Sequence, residues 1–390
     1  MRKILKKLGM LASSFGLFMP VGISNNEGAN DQDTLVRTSK IKYEDLQGYE
    51  NVKKYYDNVN VKTNDNLASV TGDLKYNEKL FNKFNEVAFE FSDITKDSHI
   101  EMKCDFNFDT MCFYLETTLF DESNIKIKEE SFVTEAIVTE TGGLDAHVEL
   151  WNGISFNISD YASIEDTIND CSLDYDDWYE ILLGTFGGYY VLIANIAIQI
   201  KADRNYDYNK KLQDDGNGVN KGNYIYYQSE TEKIGYKSAG YRFGFAQFND
   251  VGCEVAAAYN LMISLNKAED LYVTINRFEK YGIIIAASYG NLGSNPNQIH
   301  DYLDIYDISY KKIKSWEEFQ SIEENRTTCK IIMARWNKNP WGSLHTFFVN
   351  KHGKNNYTGY NFHGSYYAPE YYTKIDDFND GNGFIVGYVI

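Results

Sequence analysis

A cysteine, a histidine and two side-chain amides are spaced along the C-terminal part of the chain in an order that suits nucleophilic acyl transfer. Cys253 lies in GFAQFNDVGCEVAAAYNLMISLNK, a loop followed by an almost unbroken apolar run. The run predicts a helix buried on most of its surface, with Gly252 letting the backbone turn closely and Asn249 or Asp250 able to cap it. At the start of that helix the dipole and unpaired N–H groups favour a thiolate at Cys253. Gln247 precedes Cys253 by six residues. Its amide, with the Cys253 backbone N–H, would make an oxyanion hole for a tetrahedral intermediate. A single cysteine is more often a small buried hydrophobe, so the case rests on its companions.

Positioning these groups requires a second element. Ninety-two residues after Cys253, SLHTFFVN places His345 at the head of an alternating strand. His345, Phe347 and Val349 share one face; Thr346 and Phe348 share the other. The turn HGKN sends the chain back through NYTGYNFH, which brings Asn361 toward His345. An amide there would orient the imidazole without adding charge. The pairing depends on register, because a one-residue slip offers Tyr360 or Phe362 instead. Asp376, Asn379 and His363 are the rivals for that place. His352 falls in the turn and His300 on a helix.

With Gln247, Cys253, His345 and Asn361 in this order, residues 234–390 resemble the papain-like cysteine peptidases. They look most like the bacterial domains that cleave double-glycine leaders from exported peptides. GNLGSNPNQIHDYL and KIIMARW fill the interval usual in those domains. The resemblance implies an α+β fold with a buried helix on an antiparallel sheet, no cofactor, and a peptide or protein substrate. It also implies a mechanism in which His345 takes the Cys253 proton and an acyl-enzyme forms. Two positions depart from that branch: Glu254 stands where Gly is usual and sets a carboxylate beside the thiol, and Asn361 stands where Asp is frequent. A transglutaminase-type thiol acyltransferase would use the same residue types, and a non-catalytic surface-binding protein could retain the fold.

The rest of the chain bounds these readings. The 390 residues are enough for two folded units, and a composition 43% hydrophobic and 15% aromatic can build substantial cores. A net charge of -18 leaves no surplus cation for a phosphate backbone, which argues against nucleic acid as a partner. MRKILKKLGMLASSFGLFMPVGIS has the three parts of a secretory leader, so residues 1–24 are expected to be a signal peptide and the protein secreted or held at the cell surface. Residues 25–84 read as a polar lead-in, helical from Tyr43 to Phe84. Residues 85–200 read as a β-rich accessory domain with a helical end, and 201–233 as a linker.

Within that domain the uncharged stretch 181–200 is diluted by Gly184, Gly187, Gly188 and Asn195, so a buried helix is expected rather than a stable membrane span. In the linker, Asp203, Asn205, Asp207, Asn209 and Asp214 have calcium-loop spacing, but Tyr208 occupies the position that requires Gly. No CxxC, HExxH or Walker-type loop is present. Five cysteines leave one unpaired in an exported chain; Cys253 is the spare, and the pairing of Cys104, Cys112, Cys171 and Cys329 stays open.

Overall fold

A computed structural model describes residues 49–63, 67–76, 95, 97–107, 112–138, 144–149, 155–157, 188–228, 240–284, 293–336, 344–362, 368–379 and 383–390. The chain is mixed α and β with antiparallel sheets, an α+β architecture. It divides into two compact units, with the boundary between Ala197 and Ile198. The expected leader, the strand VAFEFSDI, Cys171 and His363 lie outside the described residues.

In the first unit, α1 (Tyr49–Tyr55) leads into β1 (Tyr56–Thr63), β2 (Leu67–Leu74), β3 (His99–Asn107), β4 (Cys112–Phe120), β5 (Lys126–Val138), β6 (Leu144–Glu149) and β7 (Ser155–Asn157). These strands form one antiparallel sheet in chain order. Alternation produces it: β2 and β3 bury every second residue, and Ala68, Val70 and Leu74 face Phe106, Cys104 and Ile100 across the ladder. The helix expected from Tyr43 to Phe84 is corrected, because among its described residues only α1 is helical. β1 is an edge strand whose sequence, YDNVNVKT, is mostly exposed, so little hydrophobic periodicity marks it.

The expected linker is also corrected. α2 (Gly188–Asp214) is one continuous helix through residues 201–214. Its polar residues are partly internal: Asn205 donates to the Gly244 carbonyl at 2.8 Å, and Asn209 to the Arg242 carbonyl at 2.8 Å. Asp203, Asn205, Asp207 and Asn209 are therefore helical residues and build no calcium loop. No helix among the described residues is long and apolar enough to cross a membrane.

The second unit continues with β8 (Arg242–Phe243), β9 (Ala246–Gln247), α3 (Phe248–Val251), α4 (Cys253–Ser264), α5 (Leu271–Lys280) and α6 (Ile299–Ile305). Then come β10 (Lys311–Ile313), α7 (Trp316–Glu324), β11 (Cys329–Trp336), β12 (Leu344–Gly353), β13 (Asn356–Tyr360), β14 (Glu370–Tyr372), α8 (Asp376–Asn379) and β15 (Gly383–Val389). Six strands form an antiparallel sheet in the order β10-β15-β11-β12-β13-β14. One face carries a core of Ile331, Met333, Phe347, Val349 and Val389, packed with Phe319 and Phe378. The helix α4 packs on β11 and β12, and Cys253 through Met262 are all buried.

The α2–α5 contact holds a buried acid. Glu279 accepts from Asn205 Nδ2 at 2.6 Å and from the Gly244 N–H at 2.7 Å, and burial pushes its carboxyl up to about 8. A carboxyl raised in the folded state keeps a proton that the unfolded chain releases, so stability falls as pH rises from the unfolded value toward about 8. Glu279→Gln is expected to flatten that decline, whose slope is at most about 1.4 kcal/mol per pH unit for one proton. Urea denaturation at a series of pH values checks this.

Candidate active site

The start of α4 depends on a close approach. Gly252 is its N-cap, and a Cβ there would lie 2.3 Å from the Phe248 ring and 2.6 Å from the Phe248 carbonyl oxygen. The Gly252 N–H donates to that carbonyl at 2.8 Å, closing α3 as a separate turn. Asn249 and Asp250, expected as caps, lie inside α3 instead. Cys253 thus becomes the first helical residue, buried to 7% exposure. Cys104, Cys253 and Cys329 all carry free thiols.

Strand β12 meets this helix end. The Thr346 backbone N–H points at the Cys253 sulfur, as does the Glu254 N–H, and Thr346 directly follows His345. The two elements that carry the expected nucleophile and base therefore meet at one place. The Glu254 side chain turns inward. Cys253 Sγ donates to Glu254 Oε2 at 3.2 Å, and Thr346 Oγ1 donates to Glu254 Oε1 at 3.1 Å. Burial, followed by the Glu254 charge, pushes the Cys253 thiol well up, while the two backbone N–H groups pull it down less. Burial also raises Glu254 to about 7, against hydrogen bonds from Cys253, Thr346 and the Ser294 backbone. The expectation of a thiolate favoured by the helix start is corrected here: desolvation and the neighbouring carboxylate outweigh the helix-end N–H groups in the resting site.

Asn361 reaches His345, but not through its amide. His345 Nε2 bonds the Asn361 main-chain oxygen at 2.6 Å. A carbonyl oxygen only accepts, so Nε2 carries the proton and Nδ1 is the basic nitrogen of the neutral ring. The side chain is engaged elsewhere: Asn361 Oδ1 accepts the Gln228 N–H at 3.0 Å, and Asn361 Nδ2 donates to Gln228 Oε1 at 2.9 Å. The cause is backbone conformation. β12 and β13 pair Phe348 with Tyr360, and the next residue, Asn361, turns left-handed at φ 59. That bend ends the ladder and aims the amide at residues 226–228, where the Asn361 N–H also meets the Tyr226 carbonyl at 2.9 Å. Asp376 instead accepts from Gln320, and the Asn379 carbonyl accepts from Arg335. Neither takes the place opposite Nε2.

Gln247 is exposed at the end of β9 and is the N-cap of α3, without a side-chain capping bond. It therefore faces solvent on the approach to the helix carrying Cys253. Two further contributors carried little sequence signal. Gln228 is buried, and besides gripping Asn361 it reaches the Asn249 carbonyl at 3.5 Å. Asn260, one of the few polar residues on α4, exchanges two hydrogen bonds with Ile225, at 2.8 and 2.9 Å, and fixes the segment that delivers Gln228. His352 bonds Thr358 and His300 pairs with Asp301, both away from this cluster. Among the described residues no group of histidines, cysteines and carboxylates could hold a metal ion.

No protein-family model, curated protein or solved structure matches the chain.

Because the imidazole is held by a main-chain oxygen, Asn361→Gly is expected to preserve the Nε2–H tautomer of His345, and glycine also accepts the left-handed backbone. Losing the amide leaves buried Gln228 groups without partners, which should cost roughly 1–3 kcal/mol of stability. Nitrogen-15 shifts of the His345 ring and a denaturation curve check the two halves separately.

Proposed function

We propose that the second unit is an exported papain-like cysteine peptidase whose nucleophile is Cys253 and whose general base is His345. The observation that carries this reading is the meeting of the Cys253 sulfur, at the first position of a buried helix, with the Thr346 N–H beside a histidine whose tautomer is set by the Asn361 carbonyl. An Nε2–H imidazole is the form that can take a thiol proton on Nδ1. The expected triad becomes one in which the third member acts through its main chain.

In the proposed reaction the Cys253 S–H bond breaks, its proton passes to His345 Nδ1, and the sulfur attacks a peptide carbonyl carbon. The oxyanion takes hydrogen bonds from the Cys253 N–H and the Gln247 amide. His345 returns the proton to the leaving amine, and water, activated by the same ring, releases the acyl group. The secretory character of residues 1–24 supports an extracytoplasmic substrate. The exposed Tyr371, paired with Thr358, and the half-buried Tyr224, stacked on buried Tyr360 with centroids 4.4 Å apart, supply aromatic surface along β13 for a polypeptide.

One observation favours a second reading, a non-catalytic binding protein on the same fold: the Glu254 carboxyl beside a buried, protonated Cys253. Turnover of a peptide library by the mature protein separates the two. Cleavage that disappears in Cys253→Ala supports the peptidase, whereas no cleavage with retained ligand binding supports the second reading. In an active enzyme Gln247→Ala is expected to lower kcat by roughly one hundred- to one thousand-fold with a much smaller change in KM.

A further inference from the structure

The proposed mechanism leaves one group at the sulfur unused. Glu254 is buried at the second position of α4, and both its carboxyl oxygens are engaged within the site. Oε2 accepts the Cys253 S–H at 3.2 Å and Oε1 accepts the Thr346 hydroxyl at 3.1 Å, while the Ser294 backbone supplies a further bond. The loop holding Ser294 fits closely. Gly293 is left-handed at φ 75, and a Cβ there would lie 2.6 Å from the Val251 carbonyl oxygen and 3.6 Å from Glu254 Oε2. A side chain at 293 would clash with the Val251 carbonyl oxygen and strain the left-handed backbone, so glycine lets the loop pass close to the start of α4, within van der Waals reach of the carboxylate.

We propose that Glu254 is a positioning residue that locks Cys253 in its protonated form, so that the resting site holds a thiol rather than a thiolate. This rests on the reading of Cys253 as nucleophile. The lock is a hydrogen bond from the sulfur to an acceptor that cannot leave, because Thr346 and Ser294 hold the carboxyl from the other elements packed on it. The groups facing it are Cys253 on its own helix, Thr346 on β12 and the Ser294 backbone. Among the described residues, none of the groups bonded to Glu254 is a cation. While the carboxylate is ionised, it opposes a second negative charge on the sulfur. Opening the lock requires the S–H to leave Oε2 and turn to the base of the proposed mechanism, His345 Nδ1; the proton transfers there, and the electron pair remains on sulfur. Substrate entering beside Cys253 supplies the occasion for that turn.

This arrangement has a consequence for reactivity. Glu254 carries a proton in part of the population near neutral pH, so Cys253 alkylation should rise late on the alkaline side. The test is the pH dependence of Cys253 alkylation by iodoacetamide, read by mass spectrometry of the labelled peptide in the full-length protein. Glu254→Gln removes the charge and keeps the shape, and should lower the alkylation midpoint by at least about one pH unit, which is about tenfold faster labelling on the acidic side. Glu254→Asp keeps the charge and should stay nearer the wild type. An unchanged midpoint in folded Glu254→Gln overturns the proposal.

Should Glu254→Gln fail to fold, infrared difference spectra of the wild type before and after alkylation provide the second measurement. A buried carboxylic-acid band that shifts on alkylation supports the lock, and an unresponsive one overturns it. Alkylation requires no turnover, so the two readings fail separately. A shifted midpoint in a protein that cleaves nothing removes the peptidase reading alone, and an unshifted midpoint in an active peptidase removes the lock alone.

Discussion

The seating of α4 against β11 and β12 is the constraint on which the second unit depends. Ten consecutive residues, Cys253 through Met262, are buried, so this helix has no solvent face over most of its length. Each fully buried Val or Leu side chain contributes about 1.5–3 kcal/mol of transfer free energy, and that scale fixes the helix in one place. Once it is fixed, its first residue has no freedom: the Cys253 sulfur ends under the Thr346 N–H, and the Glu254 carboxyl under the Thr346 hydroxyl. The chemistry at the helix start follows from the packing of the rest of the helix.

Polar residues inside that core act as fasteners. Asn260 on α4 ties down Ile225, and Asn361 at the end of β13 ties down Gln228. The segment between them therefore links the helix to the strand end that holds His345. Asn205 and Asn209 do the same for α2 against the β8 region and Glu279. Each buried amide is worth keeping only while its partners stay in place, since an unpaired one costs more than an apolar residue would. The unit is thus pinned at points on either side of the candidate site.

Much of this was legible in the residues. The α4 run VAAAYNLMISL could be little other than a buried helix, and Gly252 marks its start. The hairpin of β12 and β13 follows from alternating SLHTFFVN, a Gly-Lys-Asn turn and NYTGY. Less visible were features that exist only through tertiary partners. DRNYDYNKKLQDD reads as a solvated linker until Asn205 and Asn209 find buried carbonyls. YDNVNVKT lacks periodicity because it forms a sheet edge. A left-handed Asn361 is common chemistry for asparagine, yet nothing in NYTGYNFH distinguishes a residue continuing the strand from one that ends it. That difference decides whether the amide or the carbonyl faces His345.

In the proposed reaction the sulfur of Cys253 is the atom that carries the acyl group. The most direct measurement is acid-quench mass spectrometry of the mature protein during turnover of a peptide substrate, with digestion to locate any adduct. A thioester on the peptide bearing Cys253, appearing before steady state and absent from Cys253→Ser, is the predicted result. Turnover with no adduct at Cys253, or with the adduct on Cys104 or Cys329, would contradict it.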